Sequence, residues 1–170
     1  MIDLVLTLIG SDRPGLVEAV AQTVADRSGN WLESRMIHLA GIFAGILRVE
    51  VPPGQSDALT HALEGLVASG LRVTATTAER APAADDGRMM DLELIGLDRP
   101  GLVREISQLL ARHDVNVEEL ITDRTSAPMS GEMLFRANAR LKVPAHIDAV
   151  HLRGSLERLA SDLTVEIKLE

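Results

Sequence analysis

The feature that most constrains this chain is a nine-residue segment that occurs twice. Residues 9–17 read IGSDRPGLV and residues 95–103 read IGLDRPGLV, so eight of the nine positions agree at a spacing of 86 residues. At the same spacing, Asn30 falls on Asn116. A repeat that recurs over most of a 170-residue chain indicates two copies of one structural unit.

The two copies differ in length at one place. The Val-Pro pair at 51–52 matches the Val-Pro pair at 143–144 with a spacing of 92, so the second copy has six additional residues. They lie in segment 123–131, DRTSAPMSG, where Ser, Pro and Gly favour a longer turn. The second copy is therefore expected to have a longer hairpin.

A polar segment separates the copies. Residues 79–88 read ERAPAADDGR and carry Pro, Gly and charge, a composition typical of flexible linkers. The sequence therefore predicts one domain over residues 1–78, a linker over 79–88, and a second domain over 89–170.

Each copy shows the same order of predicted elements. Apolar and polar residues alternate before the repeated turn, which predicts a strand, and apolar residues recur at helical spacing after it. Two more strands, a second helix and a last strand follow in each copy. In the first copy the two strands cover about 30–38 and 42–51, the helix about 56–69, and the last strand begins at Leu71. In the second copy the two strands cover about 116–124 and 132–143, the helix about 145–161, and the last strand begins at Leu163. This order predicts an α+β fold with two tandem ferredoxin-like (βαββαβ) domains, each an antiparallel four-stranded sheet with its helices on one face. Each sheet would expose a face lined by polar side chains and edge strands that can pair with other strands. We therefore expect the two sheets to associate, within one chain or across a homodimer.

Composition argues against several function classes. A formal net charge of −8 disfavours direct nucleic acid binding, which depends on clustered Lys and Arg. The chain has no apolar run near the ~20 residues that cross a bilayer, and its start lacks the basic region of a secretory signal. We therefore expect a cytoplasmic protein with no membrane contact.

The sequence also lacks the patterns of catalytic and metal sites. It contains no Cys, and its five His residues show no spacing typical of metal ligands. Neither a nucleophile elbow nor a phosphate-binding P-loop motif occurs. We expect no cofactor, no metal and no catalytic residue, and hence a protein that is not an enzyme.

The repeated turn is the candidate site. Pro14 and Pro100 are predicted at the first helical position, because proline fixes φ and lacks an N–H group. Gly15 and Gly101 would then leave a helix N-terminus without side chains, where free N–H groups suit a carboxylate or phosphate. Alternatively, the segment is a structural strand-to-helix turn whose own aspartate caps the helix. One helix end stabilises an anion by about 0.3–1 kcal/mol, whereas millimolar binding needs about 4 kcal/mol, so a ligand requires further contacts.

The glycines of the turn distinguish the two interpretations. Gly10 and Gly96 are predicted to allow a sharp bend at the end of the strand. If Gly15 only gives a ligand access, replacing it with Val should leave the stability of the free protein unchanged or slightly raised. If a special backbone conformation requires glycine, the same change should destabilise the protein by more than about 1 kcal/mol.

These features together resemble the ACT domain, twice over. The resemblance lies in the turn DRPGLV, the amphipathic helix after it, the GN pair at 29–30, the segment VNVEEL at 115–120, and the order of elements. It spans nearly the whole chain. The segment NWLESR at 30–35 is similar to the tandem ACT proteins of the glycine cleavage system transcriptional repressor type.

This resemblance implies a noncatalytic regulator that binds a small-molecule amino acid, with glycine among the candidates. The ligand would bind at the loops between first strand and first helix and at the domain interface, and regulation would run through a protein partner such as a transcriptional activator. The alternative is a free-standing regulatory subunit of an amino-acid or one-carbon metabolism enzyme. The matching candidate ligand-binding residues are Gly10, Ser11, Asp12, Arg13, Pro14, Gly15, Leu16 and Asn30 in the first copy, and Gly96, Leu97, Asp98, Arg99, Pro100, Gly101, Leu102 and Asn116 in the second.

Asn30 and Asn116 have a second interpretation. Asparagine tolerates the left-handed backbone conformation that commonly links a helix to a strand. Either residue could therefore serve to adopt this backbone conformation rather than to bind a ligand.

Overall fold

The computed structural model describes residues 1–78, 86–128, 130–163 and 165–170. The chain divides into two compact units, Met1–Ala81 and Pro82–Glu170, called unit 1 and unit 2 below. Residues 79–85 of the predicted linker lie outside the described residues, and the first strand of unit 2 already begins at Arg88.

Both units follow the predicted order of elements. Unit 1 consists of β1 (Ile2–Ser11), α1 (Leu16–Ala25), β2 (Asn30–Leu39), β3 (Ile42–Val51), α2 (Ser56–Glu64), a short 3₁₀ helix (Gly65–Ser69) and β4 (Leu71–Thr77). Unit 2 consists of β5 (Arg88–Leu97), α3 (Leu102–Arg112), β6 (Asn116–Ser126), β7 (Met133–Val143), α4 (Ala149–Leu163) and β8 (Val165–Leu169). Leu163, predicted to begin the last strand, instead ends α4. The longer β6–β7 hairpin accommodates the additional residues of the second copy.

The sheets have the predicted antiparallel topology. Their strand orders are β2-β3-β1-β4 and β6-β7-β5-β8, so β1 and β5 are central. β1 pairs with β3 without interruption from Ile2 opposite Val51 to Ser11 opposite Ile42. This arrangement confirms the α+β, ferredoxin-like prediction for each copy.

The helices cover one face of each sheet and bury an aliphatic core. In unit 1, Leu4, Leu6 and Leu8 of β1 are at most 3% exposed and belong to the same core as Leu16 and Val20 of α1. A fully buried Leu or Val side chain contributes about 1.5–3 kcal/mol relative to an exposed one. Because side chains alternate along a strand, this packing also decides which residues of β1 lie on the uncovered face.

Gly10 and Gly96 serve close packing rather than the predicted bend. Both lie inside strands, and neither has a positive φ. A Cβ atom on Gly10 would overlap the carbonyl oxygen of Gly70, just before β4, and one on Gly96 would overlap the side chain of Val165 on β8. The predicted sharp turn at these two positions is therefore wrong, because the neighbouring strand leaves no room for a side chain.

We predict that Gly10→Ala destabilises the protein by about 1–3 kcal/mol, because the methyl group forces β1 and the start of β4 apart. Gly65→Ala is the control, since Gly65 has φ −60° and no atom within 4 Å of the added Cβ, and we expect its stability unchanged or slightly raised. Urea unfolding of both variants measures the difference. Equal stabilities of the two variants would contradict this account of Gly10.

Candidate ligand-binding turns

The repeated turns begin their helices with a left-handed glycine. Gly15 is the N-cap residue of α1 with φ 90°, and Gly101 is the N-cap residue of α3 with φ 96°. Pro14 and Pro100 therefore lie before the N-cap, and their predicted place at the first helical position is wrong. The physical reason is that the chain enters each helix through a conformation that only glycine adopts without strain, so glycine occupies the cap.

Neither helix start has a side-chain cap. No side chain accepts a hydrogen bond at the cap of α1 or of α3. The alternative in which the turn's own aspartate caps the helix is therefore not observed. Asp12 and Asp98 are instead directed toward the strands β2 and β6.

The turn of unit 1 is held by two neighbouring segments at the same end of the sheet. The Asp12 amide donates a hydrogen bond to the Gly41 carbonyl in the β2–β3 hairpin at 2.9 Å. The Arg13 guanidinium donates one to the Ser69 carbonyl, which precedes β4, at 2.6 Å. These contacts fix the backbone of the turn. They leave most donors of Arg13 for other partners.

His38 lies beside this turn and was not predicted. Its Nε2 accepts a hydrogen bond from the Gly41 amide at 3.2 Å and lies 3.8 Å from a carboxylate oxygen of Asp12. An accepting Nε2 carries no proton, so the contact with Asp12 becomes an ion pair only when the ring is protonated. In unit 2 the matching residue is Arg124, whose Nε lies 2.7 Å from a carboxylate oxygen of Asp98.

The turns also differ in how their arginines are neutralised. Arg99 donates hydrogen bonds to the Glu105 carboxylate of α3 through both terminal guanidinium nitrogens, at 3.3 and 3.1 Å. These hydrogen bonds hold the pKa of the Glu105 carboxyl below its usual range. The residue matching Glu105 in unit 1 is Ala19, and Arg13 forms no ion pair with any residue that the structure describes. Arg13 in the turn of unit 1 therefore keeps a guanidinium without a carboxylate partner among the described residues, whereas Arg99 in unit 2 is paired with its own helix.

Asn30 and Asn116 lie far from the turns of their own units. Asn30 begins β2 opposite Glu50, and Glu50 pairs with Asp3 near the start of β1, whereas the turn follows the end of β1. Within one unit, the structure therefore does not bring the asparagine to the turn. The Asn30 side chain donates to Glu50 at 3.1 Å.

The left-handed residues of the two helix-to-strand connections are not the asparagines. They are Ser28 (φ 55°) and Asp114 (φ 53°), each two positions earlier. The backbone interpretation of Asn30 and Asn116 is therefore wrong. The chain needs its left-handed residue directly after the helix, before the strand begins.

A depression of about 330 Å³ lies on the uncovered sheet face of unit 2 and was not predicted. Charged side chains line it, among them Asp91, Glu93, Glu119 and Arg140. They belong to paired positions of β5, β6 and β7 distant from the turn. In the described ranges, no three His, Asp or Glu side chains are grouped to hold a metal ion. No helix there is long and apolar enough to cross a membrane.

Family comparisons agree with this architecture. Profiles of the ACT domain match residues 3–74 of unit 1 and residues 90–151 of unit 2. The chain belongs to the ACT domain family and contains two ACT domains in tandem.

Particular relatives extend over nearly the whole chain. The glycine cleavage system transcriptional repressor of Escherichia coli (strain K12) is 24% identical over 169 residues, which cover 96% of this chain and 86% of that protein. The crystal structure of an unknown protein from Galdieria sulphuraria is 30% identical, with a TM-score of 0.88 and coverage of 99% and 97%. A crystal structure described as a glycine cleavage system transcriptional repressor is 18% identical, with a TM-score of 0.74 and coverage of 99% and 96%, and supports the fold.

We predict that Gly15→Val destabilises the free protein by about 1–2 kcal/mol, because a branched side chain is strained at φ 90° even where space is open around the Cβ. Helix propensity alone would leave the stability of Gly15→Val unchanged or slightly raised, but the strain at φ 90° leads us to expect a loss. Gly15→Asn is the matched control, since Asn tolerates this conformation better, and its loss should be smaller. Thermal unfolding without ligand measures both. A Val variant as stable as the native protein would show that the glycine conformation is unimportant.

A second prediction concerns pH. Because the folded-state pKa of Glu105 is lowered, its pairing with Arg99 stabilises the protein above the unfolded-state pKa, and this stabilisation is lost as pH falls through the folded-state pKa. Glu105→Gln should therefore be less stable than the native protein at neutral pH, and the difference should shrink below about pH 4. Urea unfolding at several pH values tests this. A difference that stays constant with pH would exclude the ionised pair as its cause.

Proposed function

We propose that this protein is a noncatalytic regulator that binds a small amino acid and acts through a protein partner, in the manner indicated by the repressors of the glycine cleavage system that it resembles. The proposal rests on two features of the turn of unit 1. This turn combines an uncapped helix N-terminus with an arginine that has no carboxylate partner among the described residues. We place the ligand's carboxylate there.

The charges of this turn suit a zwitterion. The Arg13 guanidinium and the first amides of α1 would receive the α-carboxylate, and the exposed Asp12 carboxylate would receive the ammonium group. Hydrogen bonds to charged groups contribute about 1.5–3 kcal/mol each, so two of them with the helix end contribute about 3–7 kcal/mol, a range that includes the ~4 kcal/mol of millimolar affinity. The helix end alone would not.

Unit 2 is the weaker candidate for this ligand. Arg99 is already paired with Glu105, and Asp98 is already paired with Arg124. A zwitterion would have to displace both intramolecular pairs to bind in the same way. We therefore propose that unit 1 carries the main ligand site and that the matching residues of unit 2 bind amino acids less strongly.

A protein partner is proposed rather than DNA. The net charge of −8 opposes binding to phosphates, and the described helices all belong to the two ACT domains. A regulator of this composition would affect transcription by contacting a DNA-binding protein.

The test is a thermal-shift screen of the common amino acids on the native protein and on Ala19→Glu. Ala19 matches Glu105, so the new carboxylate should pair with Arg13 and block the ligand's carboxylate. We expect at least one amino acid to raise the melting temperature of the native protein, since a ligand at a hundred times its dissociation constant adds about 2.7 kcal/mol of stability. Ala19→Glu should lose most of that shift.

The control is Ala21→Glu, which adds the same charge at an exposed position of α1 and should keep the full shift. If no amino acid stabilises the native protein, ligand binding as proposed is wrong. If Ala19→Glu responds as fully as the control, the ligand binds elsewhere.

A further inference from the structure

One titratable side chain of β2 lies against the turn of unit 1. The Nε2 atom of His38 lies 3.8 Å from a carboxylate oxygen of Asp12 and accepts a hydrogen bond from the Gly41 amide at 3.2 Å. A ring nitrogen that accepts a hydrogen bond carries no proton, so this is the geometry of the neutral ring. Two partners thus compete for Nε2, and the protonation state of the ring decides between them.

The partner in the hairpin is a backbone amide of a tight turn. Ala40 (φ 50°) and Gly41 (φ 81°) both adopt the left-handed conformation, which strains alanine. The Gly41 carbonyl in turn accepts a hydrogen bond from the Asp12 amide at 2.9 Å. Gly41 therefore connects His38 to the candidate ligand site through both of its backbone groups.

Protonation of His38 would exchange these contacts. A proton on Nε2 turns this atom from an acceptor into a donor, so the Gly41 amide loses its acceptor and the cationic ring can pair with the Asp12 carboxylate. Histidine is the side chain whose charge commonly changes between about pH 5 and 8. Asp12 is the group that we assign to the ligand's ammonium, and it would then be paired within the protein.

The other elements around the ring add no competing carboxylate. The residue opposite His38 on β3 is Phe43, which is uncharged. Glu18, in the first turn of α1, is exposed and forms no ion pair with His38 among the described residues. Arg13, the cation of the turn, donates toward the segment before β4. Asp12 is therefore the charged group that responds to protonation of the ring.

Unit 2 shows a charged form of the same arrangement. Arg124 occupies the position of His38, and its Nε lies 2.7 Å from a carboxylate oxygen of Asp98. An arginine side chain keeps its charge in the range where histidine titrates. Both turns nevertheless start their helices with a left-handed glycine. A cation from the second strand can therefore pair with the aspartate without changing the fold of the turn.

We propose that His38 makes amino acid binding at the turn of unit 1 sensitive to pH, because the protonated ring pairs with Asp12 and the neutral ring does not; this presupposes the ligand site proposed above. At mildly acidic pH the turn of unit 1 takes on the pairing of unit 2, and the ammonium group of an amino acid competes with the imidazolium for Asp12. Binding is therefore tighter at neutral pH.

The experiment titrates the common amino acids, each as a separate probe, into the native chain at about pH 5.5 and about pH 7.5, and follows binding by NMR. The dissociation constant of an amino acid that binds should be about two- to fivefold larger at the acidic pH, the factor that one exposed ion pair supplies. His38→Arg introduces the residue of unit 2 and should bind weakly at both pH values. His38→Gln stays neutral, and its side-chain oxygen can accept the Gly41 hydrogen bond, so it should bind equally well at both.

The control is His61→Gln, the same substitution at a side chain of α2 that is 94% exposed, which should keep the native pH dependence. Without any amino acid, the Gly41 amide resonance should shift between the two pH values in the native chain and stay constant in His38→Gln. A constant Gly41 resonance in the native chain, equal native affinities at both pH values, or a His38→Gln variant as sensitive to pH as the native chain would overturn the role of His38 and leave the ligand site standing. Absence of binding at both pH values would overturn both proposals.

Discussion

Everything else in each unit depends on the burial of one side of its central strand. Leu4, Leu6 and Leu8 point into the core beneath the helices, and period-two alternation then sends the intervening residues of β1 to the uncovered face. At the end of β1, the backbone before β4 lies so close to Gly10 that it excludes a side chain. The chemistry of the uncovered face is a consequence of this one buried row.

The two units show how duplication can keep a fold while changing its sites. The backbone of the turn is the same in both, with a left-handed glycine at the helix start. Two of the differences around it concern its charges: Ala19 and His38 in unit 1 stand where unit 2 has Glu105 and Arg124. With these residues, the Asp and Arg of the turn are both paired internally in unit 2, whereas Arg13 of unit 1 has no such partner among the described residues.

The uncovered faces have diverged in the same way, because a surface position can change without disturbing the core beneath it. Ile37 and Asp123 occupy the same place in the register, and both units bury their aliphatic cores. Surface chemistry is therefore the part of each ACT domain that can specialise at little cost in stability. In this chain, the ligand site that we propose belongs to the turn of unit 1.

The sequence by itself determined the number of domains, the order of their elements, the antiparallel sheets and the family resemblance, because hydrophobic period and turn residues act locally and were present twice. It did not determine the roles of Pro14, Gly15 or Gly10, since these depend on a φ value and on how closely another strand approaches. It also placed Asn30 with the turn, although the sheet register separates them within the unit. Only the tertiary structure decided which charges meet, such as Arg99 with Glu105, because such pairs join segments whose distance in space cannot be read from their spacing along the chain.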